Sequence, residues 1–98
     1  MTVSYHLEDC AFEWDDEKAR SNYDKHGVTF EEAAEAVLDP MARPGEASVV
    51  GETRNSLMGF SYAQRLLLVV AVEKTAVTRI ISARPATRAE RKAYEQLG

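Results

Sequence analysis

Disulfides, glycine-rich loops and membrane spans are all missing from this sequence. The single cysteine, Cys10, has no partner for an intramolecular disulfide and cannot make a metal site alone, which points to a reducing cytoplasm. Five glycines and three prolines are too few for a collagenous or low-complexity chain, and 45% apolar residues predict a packed core. The longest apolar run, Leu66 to Val72, falls far short of the roughly 20 residues that span a bilayer. Met1 to Cys10 lacks both the basic patch and the apolar stretch of a secretory signal. What remains is a chain of 98 residues, read as one domain over 1–98. Its core is expected to be single and marginal, because chains of this size bury only about 60–65% of their unfolded surface.

Positive charge is scarce overall, with 12 Lys and Arg against 16 Asp and Glu and a net charge of −4. That average hides a split. Residues 1–48 carry 12 acidic and 4 basic side chains, whereas residues 49–98 carry 4 acidic and 8 basic. Six of those eight are arginines: Arg54, Arg65, Arg79, Arg84, Arg88 and Arg91. Arginine is suited to bidentate phosphate contact, and charge asymmetry between halves is a nucleic-acid cue. The alternative is a bipolar surface that pairs acid with base inside one fold.

The local signals predict an α+β domain. Val3 to His6 is mildly strand-like and Cys10 to Trp14 reads as a short strand. Asp15 is a helix N-cap, Ala19, Asn22, Tyr23 and His26 share a helix face, and Gly27 is a left-handed stop. Thr29 to Glu32 reads as a capping box, opening a helix with the apolar stripe Phe30, Ala33, Ala34, Val37 and Leu38 that Asp39-Pro40 ends. Met41 to Ala47 reads as a loop. Val49 to Arg54, Asn55 to Phe60, Leu66 to Val72 and Val77 to Ala83 read as a strand meander, with a bulge near Gly51 and Leu66 to Val72 in the centre. Thr87 to Glu90 is a second capping box, opening a helix to about Leu97.

Candidate chemistry concentrates on the arginines. Arg88, Arg91 and Lys92 crowd a helix N-terminus, where the dipole disfavours cations by roughly 0.3–1 kcal/mol each. A bound anion reverses that sign, and Arg84 just upstream can join in holding it. The competing reading pairs Arg91 with Glu95 and lets Glu90 shield the turn. Period-2 alternation puts Arg79 on the face of Val77, Ile81 and Ala83, where a guanidinium needs a carboxylate such as Glu52 or a phosphate. His26 can shuttle a proton at neutral pH, although His26 and Lys25 also suit the negative end of a helix dipole. No phosphate-binding glycine loop, nucleophile elbow or metal-ligand spacing is present, and no cofactor is implied.

Taken in order, these residues resemble the BrnT family of toxin ribonucleases from bacterial type II toxin–antitoxin systems. The matching pieces are Phe12-Glu13-Trp14-Asp15, Lys18, Asn22, Lys25-His26-Gly27-Val28, Phe30-Glu31-Glu32-Ala33, Asp39-Pro40, Glu52-x-Arg54, Gly59 and Arg65-Leu66-Leu67. They continue through Arg79 to Arg84, Ala86-Thr87, Glu90-Arg91 and Tyr94-Glu95, leaving residues 1–9 as an N-terminal extension. Pro85 departs from the pattern, which has a basic residue there, so one phosphate contact is expected to be lost.

The resemblance implies a RelE-like fold: a largely antiparallel sheet of about four strands, two N-terminal helices and one C-terminal helix. It also implies metal-independent RNA cleavage in the bacterial cytoplasm. The expected partner is a BrnA-type ribbon-helix-helix antitoxin, in a 2:2 complex that binds operator DNA through the antitoxin and represses its own operon. RNA supplies its own 2′-hydroxyl nucleophile, so the protein needs phosphate anchors and a route for protons. Arg54, Arg79 and Arg84 are then expected on the scissile phosphate, with Arg88 and Arg91 on flanking ones and Arg65 also on RNA. Either Glu52 or His26 acts as base, with Tyr94 or Lys25 as donor or orienter. A non-catalytic module that only docks the antitoxin is the alternative. A structural homodimer domain explains the core but not the arginines.

Overall fold

The computed structural model describes residues 1–44 and 55–97. The chain opens with a hairpin of β1 (Thr2–Leu7) and β2 (Cys10–Asp15), followed by α1 (Asp16–His26) and α2 (Phe30–Val37). The two-residue strand β3 (Arg43–Pro44) precedes β4 (Asn55–Phe60), β5 (Leu66–Lys74), β6 (Val77–Pro85) and α3 (Arg88–Leu97). Among the described residues six strands form one sheet in the order β1-β2-β6-β5-β4-β3. All neighbours are antiparallel except β2 and β6, which pair in parallel at Phe12–Thr78 and Glu13–Arg79.

The α+β class holds, but the expected four strands become six in a mixed sheet. The two helices follow a hairpin rather than open the chain, so these details of the RelE-like expectation are not met. Residues 2–7, read as mildly strand-like at Val3 to His6, form the edge strand β1. The tight turn behind this is Glu8-Asp9, which adopts φ of 49° and 65° without any glycine to announce it. Val3, Tyr5 and Leu7 alternate inward and pack on the main core. The expected strand at Val49 to Arg54 and the bulge at Gly51 lie outside the described residues.

Helices α1 and α2 cover one face of the sheet. Phe12, Trp14, Val28, Phe30, Ala33, Ala34, Leu67, Val69 and Ile80 form the core between them. Full burial of a large apolar side chain contributes roughly 1.5–3 kcal/mol, so this cluster dominates the fold. Gly59 lets α2 sit directly on β4, since a Cβ there would lie 2.3 Å from the Ala36 carbonyl oxygen. The opposite face carries a smaller cluster in which α3, through Tyr94, packs on Met58, Leu66 and Leu68.

The helix signals are largely met. Asp15 caps α1 by accepting from the Lys18 N–H at 3.1 Å, and Gly27 ends it at φ 67°. Of the predicted α1 face only Asn22 is buried; Tyr23 and His26 are exposed. At α2 the capping box is half made. Thr29 accepts from the Glu32 N–H, but the Glu32 carboxylate turns away to Arg65 and Ser61.

Candidate functional site at one end of the sheet

A bulge decides where the arginines of β6 point. Val70 pairs with Ser82 and Ala71 with Ile80, so Ile81 is an extra residue and alternation is interrupted there. Ile80 and Ala83 therefore share the helix-covered face, while Arg79 and Arg84 lie together on the opposite one. This corrects the expectation that Arg79 shares a face with Ala83. The carboxylate Arg79 holds is Glu13, at 2.8 Å, and Lys74 approaches the same oxygen at 3.2 Å. Arg79, and then Lys74, keep the Glu13 carboxyl below the usual carboxylate range. Glu52 and Arg54 lie outside the described residues.

Arg84 stands roughly 15 Å further along the strand. It meets both Glu90 oxygens, at 2.7 and 2.9 Å, so Arg79 and Arg84 are held by separate carboxylates rather than aimed at one point. Glu90 also accepts from the Thr87 N–H at 2.8 Å while Thr87 accepts from the Glu90 N–H, completing the predicted capping box. The anion expected at the α3 N-terminus is thus the chain's own Glu90. Its carboxyl is lowered to about 2, first by Arg84 and then, against the opposing cost of burial, by the Thr87 amide. Arg88 and Arg91 are exposed, and Arg91 comes within 3.9 Å of Glu95, a weak surface pair.

Other cations gather at this same end of the sheet. Arg65, just before β5, donates from Nε and Nη2 to Glu32 and from Nη2 to the Gly27 carbonyl at 3.0 Å. That bond ties Arg65 to the last turn of α1, which exposes Lys25 and His26. Asn22 fastens α1 to the end of β6, donating to the Ala83 carbonyl at 2.8 Å and accepting its N–H at 3.1 Å. The Ala86 N–H donates to the Leu66 carbonyl, bringing the α3 N-terminus beside the start of β5. Lys25, His26, Arg65, Arg84 and Arg88 are so brought to one end of the molecule. Arg79 is not among them.

Guanidinium has five donors. Among the described residues Arg84 uses three, two on Glu90 and one on the Pro85 carbonyl, leaving Nε–H and one Nη2–H. Arg65 keeps both Nη1 donors, and Arg79 keeps all but one. The carboxylates orient these side chains without exhausting them.

Tyr94 has a different position from the one expected. It is buried against Phe60, and its hydroxyl donates to the Met41 carbonyl at 3.1 Å, so the phenol is engaged in packing rather than offered to a substrate. It also lines a cleft of about 570 Å³ beyond the β4–β5 turn. Among the described residues that cleft is lined by Glu8, Glu35, Asp39 and Glu95 but by only one cation, Arg43. Its sign of charge is wrong for a polyanion.

The partners Glu13, Glu32 and Glu90 and the clamp Asn22 are the site residues that sequence reasoning did not assign. Only Glu90 carried a signal, the capping box six residues after Arg84.

Residues 14–90 match the family described as the ribonuclease toxin BrnT of type II toxin–antitoxin systems. Among solved structures, the Brucella abortus ribonuclease toxin BrnT is similar, with a TM-score of 0.60 over 76% of this chain and 94% of that one. The two are 20% identical, so this likeness speaks to the fold. No curated protein matches the sequence.

Proposed function

This chain belongs to the BrnT family of type II toxin–antitoxin ribonuclease toxins, and from that premise we propose that it cleaves RNA by metal-independent 2′-hydroxyl attack at the cationic end of its sheet. The observation that carries the reading is the gathering of Arg84, Arg65, Lys25, His26 and Arg88 there, with the first two oriented by carboxylates yet still holding unspent donors.

RNA brings both nucleophile and electrophile, so the protein's task is positioning, charge stabilisation and proton transfer. In this proposal Arg84 directs Nε–H and Nη2–H at the scissile phosphate, whose charge grows as the 2′-oxygen adds. Arg65, Lys25 and Arg88 hold neighbouring phosphates, and Arg79, along the same strand face, holds one further away. His26 accepts the 2′-hydroxyl proton as the 2′-oxygen closes the 2′,3′-cyclic phosphate; the P–O5′ bond breaks and the departing 5′-oxygen takes a proton from water. The toxin works in the bacterial cytoplasm and is neutralised there by a BrnA-type ribbon-helix-helix antitoxin, with which it represses its own operon.

The test uses purified, antitoxin-free protein, a single-stranded RNA and its 2′-O-methyl counterpart, both in excess EDTA. Cleavage of the first, with 2′,3′-cyclic phosphate ends, and none of the second is the expected result. Cleavage of both, or none once EDTA is added, contradicts the proposed chemistry. A second reading draws on the same ion pairs: arginines neutralised by Glu13, Glu32 and Glu90 also suit a non-catalytic module that only docks the antitoxin. That reading predicts an intact RNA and a wild-type affinity for the antitoxin.

A further inference from the structure

The cleft lined by Tyr94 is chemically opposite to the end of the sheet assigned to RNA. Its lining is mostly apolar, with Leu38 and Phe60 among its apolar residues, and two of the chain's large exposed apolar side chains, Met41 and Tyr62, border it. Carboxylates are held around this apolar surface by the fold itself. The Glu35 carboxylate accepts from the Tyr62 N–H at 3.0 Å, and that of Glu8 accepts from the Tyr62 hydroxyl. Glu95 is exposed on α3, with Arg91 no nearer than 3.9 Å. Among the described residues, Glu8 and Glu35 each keep one oxygen that accepts no hydrogen bond, and Glu95 keeps both. Exposed apolar surface rimmed by fixed charges of one sign is how a protein-docking groove is built.

We propose that this cleft seats a segment of the antitoxin in which lysine or arginine flanks one or two bulky apolar side chains. The inference rests on the toxin reading above and adds where, and by what chemistry, the partner is held. RNA is excluded from this surface by its charge. An apolar side chain of the partner displaces water from Phe60, Met41 and Tyr62, and its cations meet Glu8, Glu35 and Glu95. The cleft and the cationic end flank the same β4–β5 turn, since Ser61, Tyr62 and Gln64 line the cleft while Arg65 reaches Gly27. An antitoxin anchored in the cleft is thereby placed beside the RNA-cleaving end without having to mimic RNA.

Calorimetric titration of the toxin with a BrnA-type antitoxin protein tests this. The double variant Glu8→Lys with Glu95→Lys changes two exposed side chains, and Glu8→Gln with Glu95→Gln provides a milder version. Arg88→Glu, on α3, probes the other surface. We expect the lysine variant to bind about tenfold more weakly or worse, the glutamine variant to fall between, and the α3 variant to bind as the wild type does. RNA cleavage by the lysine variant should be unchanged. Wild-type affinity in the lysine variant, loss confined to the α3 variant, or no binding of that protein at all overturns the proposal. So does self-association of the toxin alone that the lysine variant abolishes, because the occupant is then a second copy. Absence of RNA cleavage by the wild type instead counts against the proposed function and leaves the binding comparison to be read separately.

Discussion

Asn22 does the work of a neighbouring strand. Strand β6 pairs with β2 only as far as Arg79, so the outward amide and carbonyl of Ala83 would otherwise be buried without partners. Asn22 satisfies both and also donates to the Val28 carbonyl at 3.1 Å. Removing one partner leaves each orphaned buried group at about 1–3 kcal/mol. Asn22→Ala should therefore cost about 2–4 kcal/mol, read as a lower urea midpoint at unchanged m-value. Gly59→Ala is a second residue-scale prediction, because the added methyl meets Ala36 backbone and not a side chain that can swing away. Overpacking of about 1–3 kcal/mol lowers Tm by on the order of 10 °C in a domain of this size. Neither role was legible in the sequence. An asparagine at a helical spacing looks like any half-buried polar residue until the strand it serves is in place.

At the scale of elements, α3 is held at its start by one carboxylate with two duties. Glu90 closes the capping box and grips Arg84, which lowers its carboxyl from an ordinary value near 4.5 to about 2. A pKa depressed by folding means the unfolded chain binds the proton more readily. The contribution is complete above about pH 4.5 and is lost as pH falls through about 2. Glu13 and Glu32 are shifted in the same direction by their own basic partners. Thermal unfolding followed from pH 7 to pH 2 should show Tm falling most steeply below about 4.5, and Glu90→Gln should flatten that fall. Thr87→Ala, which removes only the cap, should cost about 1 kcal/mol.

The sequence marked these ends well, because caps are local: Asp15, Gly27, Thr29 and Thr87 all stand where expected. It failed where distant chain segments meet. The bulge at Ile81 turns Arg79 away from Ala83, and nothing within six residues announces it. The partners of Arg79 and Arg65 are 66 and 33 positions away, whereas Glu90 is six from Arg84, and only that last pairing was within reach of pattern reading.

For the molecule as a whole, the net charge of −4 describes neither working surface. The fold separates an acidic apolar cleft from a cationic sheet end by a single turn, so local fields of opposite sign suit partners of opposite charge. Cleavage should weaken steeply with added salt, as contacts to phosphates do. Antitoxin binding should weaken less, because apolar burial supports it. The comparison that most directly tests the placement of the reaction is the initial rate of RNA cleavage by Arg84→Ala against wild type at equal folded concentration. Loss of an oriented charge donor from a transition state typically costs about 100-fold or more. A rate lowered by at least that factor, with the fold intact, is the result expected. A wild-type rate in Arg84→Ala would place the chemistry elsewhere on the molecule.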